Sequence, residues 1–164
     1  MIRIARAGWV GYRLPVMLAE LLHQERVRVG LEASDKQAAL LTISSLLTLP
    51  EGIANAESVY DVLLERERLA STGVGSGVAI PHGRCDDFDE LRAAVAVYPA
   101  GVDFEAVDGL PVRIIVGIIG PRSMPQKHLA ALAGVSRVLR DEAKRTELIA
   151  APDDAHAHRL LLGL

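Results

Sequence analysis

The sequence predicts an α/β sandwich, helices packed on a mixed β-sheet, from three observations. Segments of strand-like pattern interleave with segments whose apolar residues recur at helical spacing. The run "LPVRIIVGIIG", residues 110–120, is apolar almost throughout, as a central strand covered on both faces is. Between it and the strand pattern "LRAAVAVYP", residues 91–99, lie only residues 100–109. That link is too short for a helical crossover and suits an antiparallel pair. At 164 residues, half of them hydrophobic, the chain fits one domain with a substantial core.

The elements follow in order. "VMLAELL", 16–22, has the pattern of a short amphipathic helix, and "RVRVGL", 26–31, alternates as a strand does. Ser34, with Gln37 three places on, offers an N-cap for a helix whose apolar face is Leu40, Leu41, Ile43, Leu46 and Leu47, ending near Pro50. A second helix is expected over 55–68, with Val59, Val62 and Leu63 apolar and Glu65, Arg66, Glu67 and Arg68 crowding its last turn. Val78, Ala79 and Ile80 read as a short strand, and "AGVDFEAVDG" as a turn with a short edge segment. From Met124, Leu129, Leu132, Val135, Val138 and Leu139 line one helical face. Two shorter helices, 142–150 and 153–162, are expected to finish the chain.

Composition removes several function classes. Aromatics are 4% of residues, too few for a base-stacking surface, and 18 basic against 21 acidic side chains give a formal charge of −3. That balance gives no electrostatic reason to expect a nucleic acid or an anionic membrane as partner, and any anion site must be local. The single Cys85 excludes an internal disulfide and a multi-cysteine zinc site, and fits a reducing cytoplasm. No apolar run reaches membrane-spanning length, since "VRIIVGIIG" stops at Pro121, so no membrane insertion is expected. Residues 1–16 are expected to be an irregular extension without a leader's cleavage pattern, and 17–164 the compact domain.

The chemistry concentrates in "STGVGSGVAIPHGR", residues 71–84. Its glycines match neither the G-x-G-x-x-G dinucleotide pattern nor a P-loop. Pro81 biases Ile80 toward an extended conformation, and Gly83 allows a sharp exit, so His82 either is presented at a strand end or merely tops a turn. Arg66, Arg68 and Arg84 bring guanidinium groups toward that point, though "LERERL" also reads as a solvated helix end. His128 sits at the start of the helix that follows the strongest strand, where anions gather in α/β proteins, or is simply an exposed helix-start histidine. His156 and His158 are one residue apart on a helix and do not share a face, which argues against a metal pair, and His23 has no partner in view. A triad from Ser71 or Ser76 with His82 and Asp86 or Asp87 lacks a nucleophile elbow.

The segment "ERERLASTGVGSGVAIPHGR" resembles the active-site segment of the fructose and mannitol type enzyme IIA domains of the bacterial phosphoenolpyruvate-dependent phosphotransferase system, and most of all their nitrogen-regulatory branch. The resemblance runs from about Met17 to the C-terminus, through "VDFEAVDGLPVRIIVGII" and "KHLAALAGVSRVLRD". It implies a mixed sheet flanked by helices on both sides. By position it places the phosphorylated histidine on His82, with Nε2 as the attacking atom, the upstream arginine on Arg66 rather than Arg68, and the second histidine on His128.

The implied chemistry needs no cofactor and no metal. His82 would take a phosphoryl group from the phosphohistidine of an HPr-like or NPr-like carrier protein, and Arg66 and His128 would bind its oxygens. The backbone around Ser71, Thr72, Gly73, Gly75, Ser76, Gly77, Gly83 and Arg84 would form a phosphoryl cradle. The resemblance implies a cytoplasmic phosphotransferase component that regulates target proteins, a kinase or a transporter, through its phosphorylation state. The alternative is a sugar-specific enzyme IIA that donates to an enzyme IIB domain of a fructose or mannitol permease. Three positions depart from the family pattern. Ala70 replaces a usual glycine, Ser76 replaces asparagine or histidine and is expected to alter a hydrogen bond near the phosphoryl group, and Gln126-Lys127 replace an acidic neighbour of His128, a change expected to lower that histidine's pKa or alter partner choice.

Overall fold

The computed structural model describes residues 14–50 and 54–164, so most of the extension expected over 1–16 lies outside the described residues. The chain runs α1 (Leu14–Leu21), β1 (Leu22–Arg28), α2 (Lys36–Leu47), α3 (Ala56–Leu69), β2 (Gly73–Gly75), β3 (Val78–Ala79), β4 (His82–Arg84), β5 (Arg92–Val102), β6 (Val112–Gly120), α4 (Pro125–Val138), α5 (Glu142–Ile149) and α6 (Asp154–Leu162).

The six strands form one mixed sheet in the order β1-β5-β6-β3-β2, with β4 also paired to β6. The two most apolar strands do form an antiparallel pair, β5 on β6, while β1 is parallel to β5, and β3 and β4 are parallel to β6. β3 and β4 lie in one line along β6, Val78 opposite Ile114 and His82 opposite Ile118, interrupted at Ile80-Pro81. Pro81 has no N–H to give, but its carbonyl accepts Ile118 N at 3.0 Å, so the line continues.

Helices cover both faces, and the period-two alternation of β6 sorts its residues between them. Ile115 and Ile119 pack with Leu40, Ile43 and Leu63 of α2 and α3. Ile114, Val116 and Ile118 pack on the other side with Val135 of α4 and Leu148 and Leu161 of α5 and α6. These side chains are almost fully buried, each contributing roughly 1.5–3 kcal/mol by leaving water. The uninterrupted apolar run is thus two alternating sets facing two cores.

Three local expectations are corrected. β1 spans Leu22–Arg28 rather than 26–31, because it is an edge strand whose His23, Gln24 and Glu25 face solvent and carry little pattern. The α2 cap is Asp35, not Ser34: its Oδ1 accepts from Ala38 N at 2.8 Å, and Ser34 Oγ donates to Asp35 instead. The expected edge segment within 100–109 is a continuation of β5 to Val102 followed by a loop, which buries Phe104 and places Val107 N on Gly73 O at 3.1 Å. That contact covers part of the open edge of β2.

Candidate active site

The site lies where β4 meets the last turn of α3 and the first turn of α4. Gly83 makes that meeting possible, since a Cβ there would stand 2.3 Å from Val62 Cγ1. α3 consequently packs directly on the β4 backbone and its final turn carries Arg66 to the side of His82. Pro125 at the α4 start fits a helix N-terminus, where its missing N–H leaves nothing unsatisfied.

His82, Arg66, Arg84, Arg122 and His128 line one cavity of about 440 Å³. The imidazoles of His82 and His128 stand 5.8 Å apart between centroids, with planes tilted by 55°. His82 is half-buried, and its Nδ1 lies 2.7 Å from the Ile80 carbonyl oxygen. A carbonyl accepts only, so Nδ1 carries the proton and Nε2 keeps its lone pair in the neutral ring. Burial is the main cause that lowers the His82 pKa; the Ile80 carbonyl opposes it, Arg66 adds to it, Glu67 opposes and Arg84 adds. His128 is only 3% exposed, and burial, then His82 and Arg84, lower its pKa to about 4. At neutral pH both rings are therefore uncharged, and the positive charge of the cavity resides on guanidinium groups.

Arg66 Nη1 donates to Ala70 O at 3.1 Å, which fixes the side chain while leaving its other donors unspent. Arg122 is held by Asp86 through Nη1 and through its backbone N, both at 2.9 Å. Leu69 and Leu129, 80% and 69% exposed, stand at the cavity as an apolar rim.

Of the residues singled out in the sequence, the structure brings together His82, Arg66, His128, Gly83 and Arg84. Ser71, Thr72, Gly73, Gly75, Ser76 and Gly77 do not line this cavity, which corrects the expected cradle. They form the exit of α3 and a β2–β3 hairpin whose two turn residues, Ser76 and Gly77, have φ of 56° and 75°. Positive φ at both central positions is what a two-residue hairpin turn of type I′ requires. Of the six residues, three have N–H groups that are also committed elsewhere: Thr72 N to the Glu67 carboxylate, Gly73 N to Ser71 Oγ and Ser76 N to Asp108 Oδ2. Gly75 and Ser76 instead face a second cavity with Arg140 and Arg145, so the Ser76 departure bears on a turn.

Arg68 is exposed and does not line the cavity. Gln126 and Lys127 are exposed too, and the lowered pKa of His128 has burial as its first cause rather than this pair. No serine triad forms: Ser71 Oγ donates to Phe104 O, and Asp86 is taken by Arg122. Among the described residues no group of three or more His, Cys, Asp or Glu is placed to hold a metal ion. Sequence reading missed Arg122 and Glu67. The signal for Arg122 was its place just after the central strand, at the strand end where the cavity opens.

A model of the family described as "Phosphoenolpyruvate-dependent sugar phosphotransferase system, EIIA 2" matches residues 20–163. The chain is 34% identical over 136 residues to the "Nitrogen regulatory protein" of Bradyrhizobium diazoefficiens, covering 83% of this chain and 88% of the relative. Its structure resembles that of the nitrogen regulatory protein IIA-Ntr from Neisseria meningitidis, with a TM-score of 0.80 at 26% identity, over 88% of this chain and 99% of the other. It also resembles the enzyme IIAMTL complex with phosphorylated enzyme IIBMTL from Escherichia coli, TM-score 0.74, 25% identity, over 87% and 98%. With the family match spanning almost all of the described fold, the chain belongs to the type 2 enzyme IIA family of the phosphoenolpyruvate-dependent sugar phosphotransferase system.

Proposed function

We propose that the chain is a cytoplasmic phosphohistidine carrier that accepts a phosphoryl group on His82 Nε2 and regulates other proteins by its phosphorylation state. One observation carries this reading: the Ile80 carbonyl holds the proton on Nδ1 and leaves the Nε2 lone pair to a ring in a cavity lined by Arg66, Arg84 and Arg122. The donor is the phosphohistidine of an HPr-like or NPr-like carrier. Its P–N bond breaks, the electron pair returns to the donor ring, and a new P–N bond forms to His82 Nε2. No proton need move. The His82 ring becomes cationic as it bonds to phosphorus, and the Ile80 carbonyl already faces the Nδ1–H that carries this charge.

The transferring group is loosely bound and highly charged at its midpoint, so catalysis is positioning and charge stabilisation. Arg66, Arg84 and Arg122 supply the charge, and neutral His128 offers a ring N–H without repelling the His82 ring. The apolar rim at Leu69 and Leu129 gives the carrier a surface to dock on without a salt-dependent contact. Support for a regulatory role, in nitrogen or potassium metabolism or a related process, comes from the relatives named for nitrogen regulation. Among the described residues no helix is long and apolar enough to cross a membrane. The likeness to an enzyme IIA solved in complex with enzyme IIB supports a second reading, donation from His82 to a fructose or mannitol type enzyme IIB.

Incubation with phosphoenolpyruvate, enzyme I and the HPr-like carrier is expected to label wild type and leave His82→Ala unlabelled. Labelling of a folded His82→Ala would sink the assignment. Addition of an enzyme IIB domain to the labelled protein separates the two roles: loss of label to it favours sugar transport.

A further inference from the structure

We propose, building on His82 as the phosphoryl acceptor, that Glu67 is a positioning residue that braces residues 70–72 and through them sets both Arg66 and the His82 ring. Glu67 is 5% exposed, in the last turn of α3, one residue after Arg66. Its carboxylate accepts from Thr72 N at 3.0 Å to each oxygen, from the Thr72 hydroxyl, and from Lys36 Nζ of α2 at 2.8 Å. A carboxylate this buried keeps its charge only when paired and fully bonded, and here it is.

The bonds lead onward to the site. Thr72 O accepts Ile80 N at 2.9 Å, and Ile80 O accepts the Nδ1 proton of His82 at 2.7 Å. From the opposite side, Arg66 Nη1 rests on Ala70 O. Ala70, which anchors the arginine, and Thr72, which holds the Ile80 peptide whose carbonyl fixes the nucleophile's tautomer, are therefore two residues apart on one segment, and Glu67 ties that segment to the helix. Linked hydrogen bonds polarise one another, and an orienting partner fixes which imidazole nitrogen is free. A buried ion pair that only stabilises the fold could be exchanged for apolar side chains at little cost. A positioning pair could not.

The test uses the full-length protein as Glu67→Gln and as the double variant Lys36→Met/Glu67→Met, which removes both charges together so that no unpaired charge is left buried. Two quantities are read: the His82 tautomer, from imidazole ¹⁵N shifts of the unphosphorylated protein, and the rate of His82 phosphorylation by phosphoramidate, whose P–N bond breaks with loss of ammonia. In the double variant a second tautomer with the proton on Nε2 is expected to appear, and the rate at saturating phosphoramidate to fall by about tenfold or more. Glu67→Gln, which keeps one acceptor for Thr72, is expected to fall between it and wild type. A folded double variant with wild-type tautomer and rate would overturn the proposal. Failure of wild type itself to be labelled would overturn the acceptor reading instead, while the tautomer measurement still decides for or against Glu67.

Discussion

Acidification from pH 7 to 4 is expected to remove about 3 kcal/mol of stability through His128 alone. In the fold its pKa is lowered from 6.5 to about 4, because the ring is buried and faces His82 and the Arg84 guanidinium. In the unfolded chain it returns to its ordinary value near 6.5. Below that pH the unfolded state binds a proton that the folded state refuses, so the contribution is whole above pH 6.5 and is lost as pH falls through about 4. At about 1.4 kcal/mol per pH unit, the interval is worth ~3 kcal/mol. Acidification acts on more of the molecule than His128, so the measurement is a difference: urea unfolding of wild type and His128→Gln at pH 7, 5.5 and 4. A polar side chain that does not titrate replaces the ring, and the gap in stability between the two proteins should change by about 3 kcal/mol in the variant's favour. With a urea dependence of roughly 1–3 kcal/mol per molar, the gap between midpoints moves by about 1 M or more. Parallel pH curves for the two proteins would refute the reasoning, because they would mean that folded His128 takes its proton as readily as the unfolded chain does.

Two further outcomes are expected. Gly83→Ala places a methyl 2.3 Å from Val62 Cγ1 and should cost about 1–3 kcal/mol in thermal or urea unfolding while slowing His82 labelling, with Val62→Ala added to it restoring part of both. If Gly83→Ala is neutral, the close approach of α3 to β4 is not what sets the site. Ser76→Asn should raise stability by about 0.5 kcal/mol, because asparagine accepts the φ of 56° better than serine, and should leave labelling unchanged. A loss of labelling there would return Ser76 to the active site.

Much of the sheet was legible because its signals are local. The short link between two apolar strands dictated an antiparallel pair, and the helices at 55–68, 142–150 and 153–162 lie within a residue or two of α3, α5 and α6. β1 was displaced because an exposed edge strand lacks the pattern that burial imposes. The division of β6 between two cores was not legible either, since both faces are apolar and periodicity vanishes. Glu67 shows a different limit. In "LERERL" it is one more charge on a solvated helix end, and its burial depends on Lys36, far upstream, and on Thr72 beyond the helix. Arg122 likewise gains its place only when β6 and β4 lie side by side.

The glycines of residues 71–84 carry the main revision, and it changes what the site must do. Alternating glycines ahead of a histidine suggested backbone N–H donors around a phosphoryl group, but Gly75 and Gly77 belong to a hairpin and its turn and do not line the His82 cavity. The glycine that matters to His82 is Gly83, and it matters by having no side chain. On the proposed function, the charge of the transferring group then falls mainly to side chains, to Arg66, Arg84 and Arg122, with both histidines neutral. Such a site has a consequence that a backbone cradle would not. Its electrostatics depend on rotamers held from outside the cavity, Arg66 by Ala70 and Arg122 by Asp86, so residues that never touch the phosphoryl group control how well its charge is met.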